Sequence, residues 1–82
     1  MNATELHMQI RQFVVDSLGM PDLQDGDDIF ELGRATSLFS VQLLMYIEEE
    51  LGIPLEDDDL QRENFCTILG MSKMISRKLE SH

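Results

Sequence analysis

Leu6, Ile10, Phe13, Val14 and Leu18 follow one another at steps of four, three, one and four. That spacing returns apolar side chains to one face of a 3.6-residue helix, and it predicts an amphipathic helix from about Thr4 to Leu18. Asn2 or Thr4 can cap its start, and Gly19 with Pro21 beyond it closes the helix in the expected order. A second run, Leu43, Leu44, Ile47 and Leu51, is the core stripe of a helix from about Ser37 to Leu51, ended by Gly52 with Pro54 just beyond. Leu38, Val41 and Met45 lie beside that stripe, so this helix is apolar around more of its circumference than a half-buried helix requires. Either it is deeply buried or part of it is a docking face, and Val41 is assigned to the core. Ile68, Met71, Ile75 and Leu79, at steps of three, four and four, predict a last helix that Thr67 can cap. Lys73, Arg77 and Lys78 sit towards its C-terminal end, where cations suit the macrodipole.

The segments between these helices carry fewer anchors. Met20 to Thr36 is a long loop with five carboxylates, in which Ile29, Phe30 and Leu32 form the only apolar cluster. They are expected to dip into the core and pin it, because a connection this long is seldom structureless unless it is functional. A calcium loop centred on Gly26 fails on its ligands: the first, third and twelfth positions are Pro21, Leu23 and Leu32, which offer no side-chain oxygen. After Glu56-Asp57-Asp58-Asp59, the stretch from Leu60 to Phe65 reads as one or two helical turns anchored by those two residues. No strand pattern or repeat is evident. The class is all-α: a small four-helix bundle with a long first loop and a short third helix. Residues 1–82 form a single domain, since a chain this short builds one core.

Charge changes the picture more than composition does. The chain carries a net charge of −10, and from Asp22 to Glu63 there are 13 carboxylates against Arg34 and Arg62, a net −11 in that segment alone. Nucleic acid is an improbable ligand, because phosphate backbones are bound through clustered Lys and Arg. A basic protein surface is the natural partner, approached by long-range attraction. No apolar run approaches the roughly 18 residues needed to span a bilayer, and the N-terminus lacks a signal-peptide layout, so a cytoplasmic protein with no membrane partner is expected. Cys66 is the only cysteine, which excludes an internal disulfide and a cysteine-rich zinc site, and it is read as a small buried apolar group.

Ser37 stands at the seam between the acidic loop and the second helix. A serine there is often only a cap. The same place suits a covalent phosphate, because the backbone N–H groups of a helix start point outward and carry the positive end of the macrodipole. Chemistry in place would need a base, and neither His7 nor His82 has a sequence-local link to Ser37. The carboxylate pairs Asp27-Asp28 and Glu48-Glu49 occur in runs without apolar isolation, so no general acid is indicated. A self-contained enzyme and a metal site are not expected.

The ordered set around Ser37 resembles the acyl carrier protein family. It comprises Asp28-Ile29-Phe30-Glu31-Leu32-Gly33, then Ser37-Leu38, Val41-Gln42-Leu43 and Glu48-Glu49-Glu50-Leu51-Gly52-Ile53, with Glu63-Asn64-Phe65-Cys66-Thr67-Ile68 further on. Two departures are visible. The family usually has Asp before the serine, where this chain has Thr36, and the spacing from glycine to serine is one residue longer here, an insertion around Arg34-Ala35.

The resemblance implies a 4'-phosphopantetheine arm on Ser37, placed there from coenzyme A by a phosphopantetheinyl transferase. Its thiol would hold an acyl or aminoacyl group as a thioester. It also implies a partner-facing side of the second helix formed by Leu38, Phe39, Gln42, Met45, Glu48 and Glu49. The partners would be an acyl- or aminoacyl-loading enzyme and downstream synthase and tailoring enzymes with basic docking surfaces. Phe39 and Gln42 replace residues that are usually acidic in bacterial fatty-acid carriers, and the Ser-Leu-Phe variant resembles free-standing carriers of polyketide and nonribosomal peptide biosynthesis. Two alternatives stay open: a D-alanyl or aminoacyl carrier serving an adenylating ligase, and an unmodified acidic docking module that kept the bundle without the arm.

Overall fold

The computed structural model describes residues 2–80, so His82 lies outside the described residues. Helix α1 spans Ala3–Leu18, and it starts where Asn2 Oδ1 accepts the amide of Glu5 at 2.8 Å. It ends where Gly19, at φ +64°, turns the chain into the left-handed region, with its amide donating to the Val15 carbonyl. Only glycine enters that region without a Cβ clash, which is why the helix stops there. Leu6, Ile10, Val14 and Leu18 are buried, as their spacing requires.

Helix α2 spans Ser37–Met45 and runs on through a π-helical turn at Tyr46–Glu50, closed by the amide of Leu51 donating to the Tyr46 carbonyl at 3.1 Å. The predicted end at Leu51 holds, but the last turn is wider than an α-turn. Phe39, Leu43, Ile47 and Leu51 are its buried residues. Val41, assigned to the core from sequence, is instead 52% exposed. It follows Leu38 by three residues and precedes Met45 by four, so all three share the side away from the buried row.

Helix α3 spans Ile68–Glu80, and Thr67 Oγ1 accepts the Gly70 amide at 2.8 Å, the predicted cap. It packs against α1 through Ile68, Met71, Met74 and Ile75. Leu79, read as part of the stripe, is exposed near the end of the bundle.

A 3-10 turn at Arg62–Asn64 stands where a short third helix was expected over Leu60 to Phe65, and a second 3-10 turn, Asp57–Asp59, forms in the acidic stretch before it. Phe65 packs against the core as predicted, whereas Leu60 is about half exposed. Polar contacts do the anchoring that Leu60 was expected to do. Asn64 is buried, donates from Nδ2 to the Asp59 carbonyl at 2.8 Å, and accepts from Arg77 Nη2 at 3.0 Å. Lys78 Nζ pairs with Asp59 Oδ2 at 2.5 Å. That bond, more than any other interaction, holds the Asp59 carboxyl below the usual range, helped by the Glu56 amide and opposed by burial. Gly70 completes the junction: a Cβ there would run into the Glu63 carbonyl, so only glycine lets the turn lie this close to α3.

The long loop is pinned from both ends of its middle section. The Ile29 amide donates to the Cys66 carbonyl at 2.8 Å, and the Leu69 amide to the Asp25 carbonyl at 2.9 Å. Leu23 and Ile29 are its buried anchors, with Phe30 partly buried, while Leu32 is exposed. The tight turn in which Leu32 and Gly33 donate to Asp28 and Phe30 rotates Leu32 outward, and Leu23 supplies the second anchor. Cys66 is only partly buried, short of the fully buried position expected for it. No strand occurs among the described residues, and no helix among them is long and apolar enough to cross a membrane.

Candidate functional site

Thr36, not Ser37, caps α2. Its backbone is extended at φ −104° and ψ 171°, and Oγ1 accepts the Phe39 amide at 3.1 Å. Threonine is a competent though not the best cap, and here it fills the place where the resemblance expects aspartate. Ser37 is therefore the first helical residue. It is exposed, and its hydroxyl has no hydrogen bond among the described residues. The first amides of a helix lack intrahelical acceptors, so Ser37 sits beside unfilled donors at the positive end of the helix.

Ser40, one turn further on, differs. Its Oγ donates to the Thr36 carbonyl at 3.2 Å, and it is partly buried. Of the two hydroxyls, only that of Ser37 is both unoccupied and at the helix start.

The approach to Ser37 is built by the loop. Asp28 Oδ1 accepts the amides of Phe30 at 2.9 Å and Glu31 at 3.1 Å. The Glu31 bond is the chief cause that holds the Asp28 carboxyl below its ordinary range; the Phe30 amide and Arg62 add to it, and burial opposes. The Ala35 amide then donates to the Ile29 carbonyl at 3.3 Å, fixing the last residues before the cap. Alongside lies an open groove of about 340 Å³ between α2 and the 3-10 turns, walled by Phe30, Leu44, Leu60 and Phe65. Arg62 lies across the Phe30 ring at 5.1 Å and reaches Asp28 Oδ2 at 3.4 Å.

Of the six residues predicted to face partners, Leu38 (67% exposed), Gln42, Met45 (50%), Glu48 and Glu49 are exposed along one side of α2. Glu48 is partly engaged, its Oε2 accepting the Leu55 amide at 3.3 Å. Phe39 does not belong to this set. It is 5% exposed and stacks with Phe13 of α1 at 6.3 Å between ring centroids. It precedes Leu43 by four residues, and that spacing carries it onto the buried row; position-by-position matching to the family had placed it outward.

Sequence reasoning missed a polar cluster where α1, the long loop and α3 meet. His7 Nε2 lies 3.0 Å from Asp25 Oδ2, His7 Nδ1 lies 2.6 Å from Ser72 Oγ, and Arg11 Nη1 lies 2.6 Å from Asp25 Oδ1. Arg11 Nη2 also donates to the Leu23 carbonyl at 2.6 Å. The cluster ties α1 to the loop and to α3 and does not include Ser37. Its partners lie 12 to 65 residues apart, so no local pattern could have announced it.

A small helical module that displays one free serine hydroxyl at a helix start, on a rigid and acidic body, is built to carry a group rather than to transform one. The family described as "phosphopantetheine attachment site" matches residues 8–75. The chain belongs to this family of carrier domains, which are not enzymes and whose covalent cofactor is 4'-phosphopantetheine. The helix start fits that group: an exposed, unbonded hydroxyl accepts a phosphodiester without losing an internal contact, and the flanking amides favour its negative charge. Carrier domains of this kind work with a phosphopantetheinyl transferase and with partner enzymes.

Proposed function

We propose that Ser37 is the attachment position and that the protein presents an acyl or aminoacyl thioester to enzymes of polyketide or nonribosomal peptide biosynthesis. The observation that carries the assignment is the division of labour between neighbours: Thr36 caps the helix, Ser40 bonds back to Thr36, and Ser37 Oγ is left free. When bound, the arm supplies a thiol on which cargo is held. The chain's own residues orient the attachment point: Asp28 and Ile29 brace the loop, and α2 directs the hydroxyl outward.

On this reading residues 1–82 are one carrier domain acting in the cytoplasm. Leu38, Gln42, Met45, Glu48 and Glu49 form the docking side, to which Val41 is added and from which Phe39 is removed. The apolar members would hold a bound enzyme, and the carboxylates would draw in its basic surface. The choice of pathway rests on the likeness of Ser37-Leu38-Phe39 to carriers of specialised metabolism. Incubation with coenzyme A and a broad-specificity transferase tests the assignment by intact mass. One arm is expected on the wild type and on Ser40→Ala and none on Ser37→Ala; label that persists in Ser37→Ala would refute it.

A further inference from the structure

The outer flank where α1 meets the π-helical turn carries a feature that the docking side of α2 does not explain. Phe13 and Tyr46 are stacked with their centroids 4.3 Å apart and their planes 16° from parallel, and the buried ring of Phe39 stacks with Phe13 at 6.3 Å. Both outer rings are only partly buried. Two adjoining open grooves of about 370 and 500 Å³ share Phe13, Tyr46 and Glu50 as walls, with Glu49 on the rim of one and Asp16 on the rim of the other.

None of these three carboxylates forms an ion pair among the described residues, and Asp16 accepts only the side-chain amide of Gln12, at 2.8 Å. Glu50 is close enough to Tyr46 to help burial push its phenol upward.

We propose that this flank receives an arginine side chain from the basic surface of a partner enzyme, as a second contact beside the outward face of α2. The occupant follows from the chemistry of the walls. A planar guanidinium stacks on an aromatic face and pairs with carboxylates through its forked donors at the same time. Lysine pairs with the carboxylates as a point charge but brings no plane to lay on the rings. The proposal rests on the carrier reading only for its biological purpose. The binding itself is independent of Ser37, so the unmodified chain can be used.

The test is a nuclear magnetic resonance titration of the full unmodified chain at physiological salt. The probe is a capped Gly-Arg-Gly-Arg-Gly peptide, with its lysine and citrulline counterparts as controls. Saturable shifts centred on the Phe13 and Tyr46 rings and the amides of Glu49 and Glu50 are expected from the arginine peptide, with weaker binding of the lysine peptide and none of the citrulline peptide. Glu50→Gln, a surface change, should weaken the arginine peptide by about two- to fivefold, the worth of one exposed charge or cation–π contact. Tyr46→Leu should do the same, with circular dichroism as its folding control. Shifts spread evenly over the acidic segment, shifts centred on Leu38 and Met45, indifference to Glu50→Gln, or no saturable binding would each overturn the proposal. A failure of Ser37 modification would leave this result untouched, so the two readings fail separately.

Discussion

On one face of α2, Phe39, Leu43 and Ile47 are at most 5% exposed, while on the other Leu38, Val41 and Met45 are half exposed or more. Both rows are large and apolar, and both belong to one short helix. Their difference lies in what faces them. The first row meets α1 and its Phe13 ring, and the second meets solvent. Hydrophobicity alone therefore does not separate core from exposed surface here; the four-residue spacing from a residue already known to be buried does. A solvent-facing row of this kind, beside a free serine, is what a protein that must be gripped by others would keep.

The sharpest way to break that comparison is to truncate one residue of the buried row and two of the outward row. Phe39→Ala removes a buried aromatic ring and should cost about 3–5 kcal/mol, enough to bring a domain this small close to unfolding. Leu38→Ala and Met45→Ala should change stability by no more than about 0.5 kcal/mol while weakening the grip of a partner. Chemical denaturation of the three variants checks this, and equal losses in both rows would mean that the outward face is structural.

Next in size is the charged anchor between the 3-10 turns and α3. Lys78→Met keeps the aliphatic stem but removes the bond to Asp59, and the expected loss is about 1.5–3 kcal/mol for a hydrogen bond to a charged group. Because the folded-state pKa of Asp59 is lowered, the stability it contributes is complete above the unfolded value of about 4 and disappears as pH falls through the folded value. The gap between wild type and Lys78→Met should therefore be full near neutral pH and close in acid. A gap that is constant with pH would detach the stabilisation from this carboxylate.

Much of this was legible beforehand. The three helices, the Asn2, Gly19 and Thr67 caps, and the buried residues of α1 all follow from spacing and end chemistry, because those are local effects. The misassignments share a cause. Leu32, Val41 and Leu60 are apolar and were given to the core, yet the core had room for only one side of each segment, and the opposing surface decides which side. Leu23 and Asn64 took the anchoring places, Asn64 by hydrogen bonds that no hydropathy pattern registers. Ser37, the residue proposed to carry the arm, stood out in sequence, but the freedom of its hydroxyl did not, since that depends on Thr36 rather than Ser37 doing the capping.

That dependence gives a smaller effect to measure. Thr36→Ala should cost about 0.5–2 kcal/mol through loss of the cap, and Thr36→Asp should retain or improve stability. If Thr36→Ala proves neutral in thermal melts, the cap is being supplied otherwise, and Ser37 is the obvious substitute. The least change in stability is expected for the Glu48→Lys/Glu49→Lys pair. Its effect should appear in association with a partner enzyme, which should slow and lose salt dependence, while dissociation changes less. An unchanged association rate would remove these carboxylates from the docking side.

The central claim, that α2 begins with a capping threonine so that the next hydroxyl is free to carry the arm, is tested most directly by mapping the modified residue. Trypsin releases the segment from Ala35 to Arg62 as one peptide, which contains Thr36, Ser37 and Ser40 together. Fragmentation of that peptide after transferase treatment is predicted to locate the phosphopantetheine on Ser37, with Thr36 and Ser40 unmodified. An arm found on Ser40 or Thr36, or a peptide that remains unmodified under conditions that load other carriers, would contradict the account.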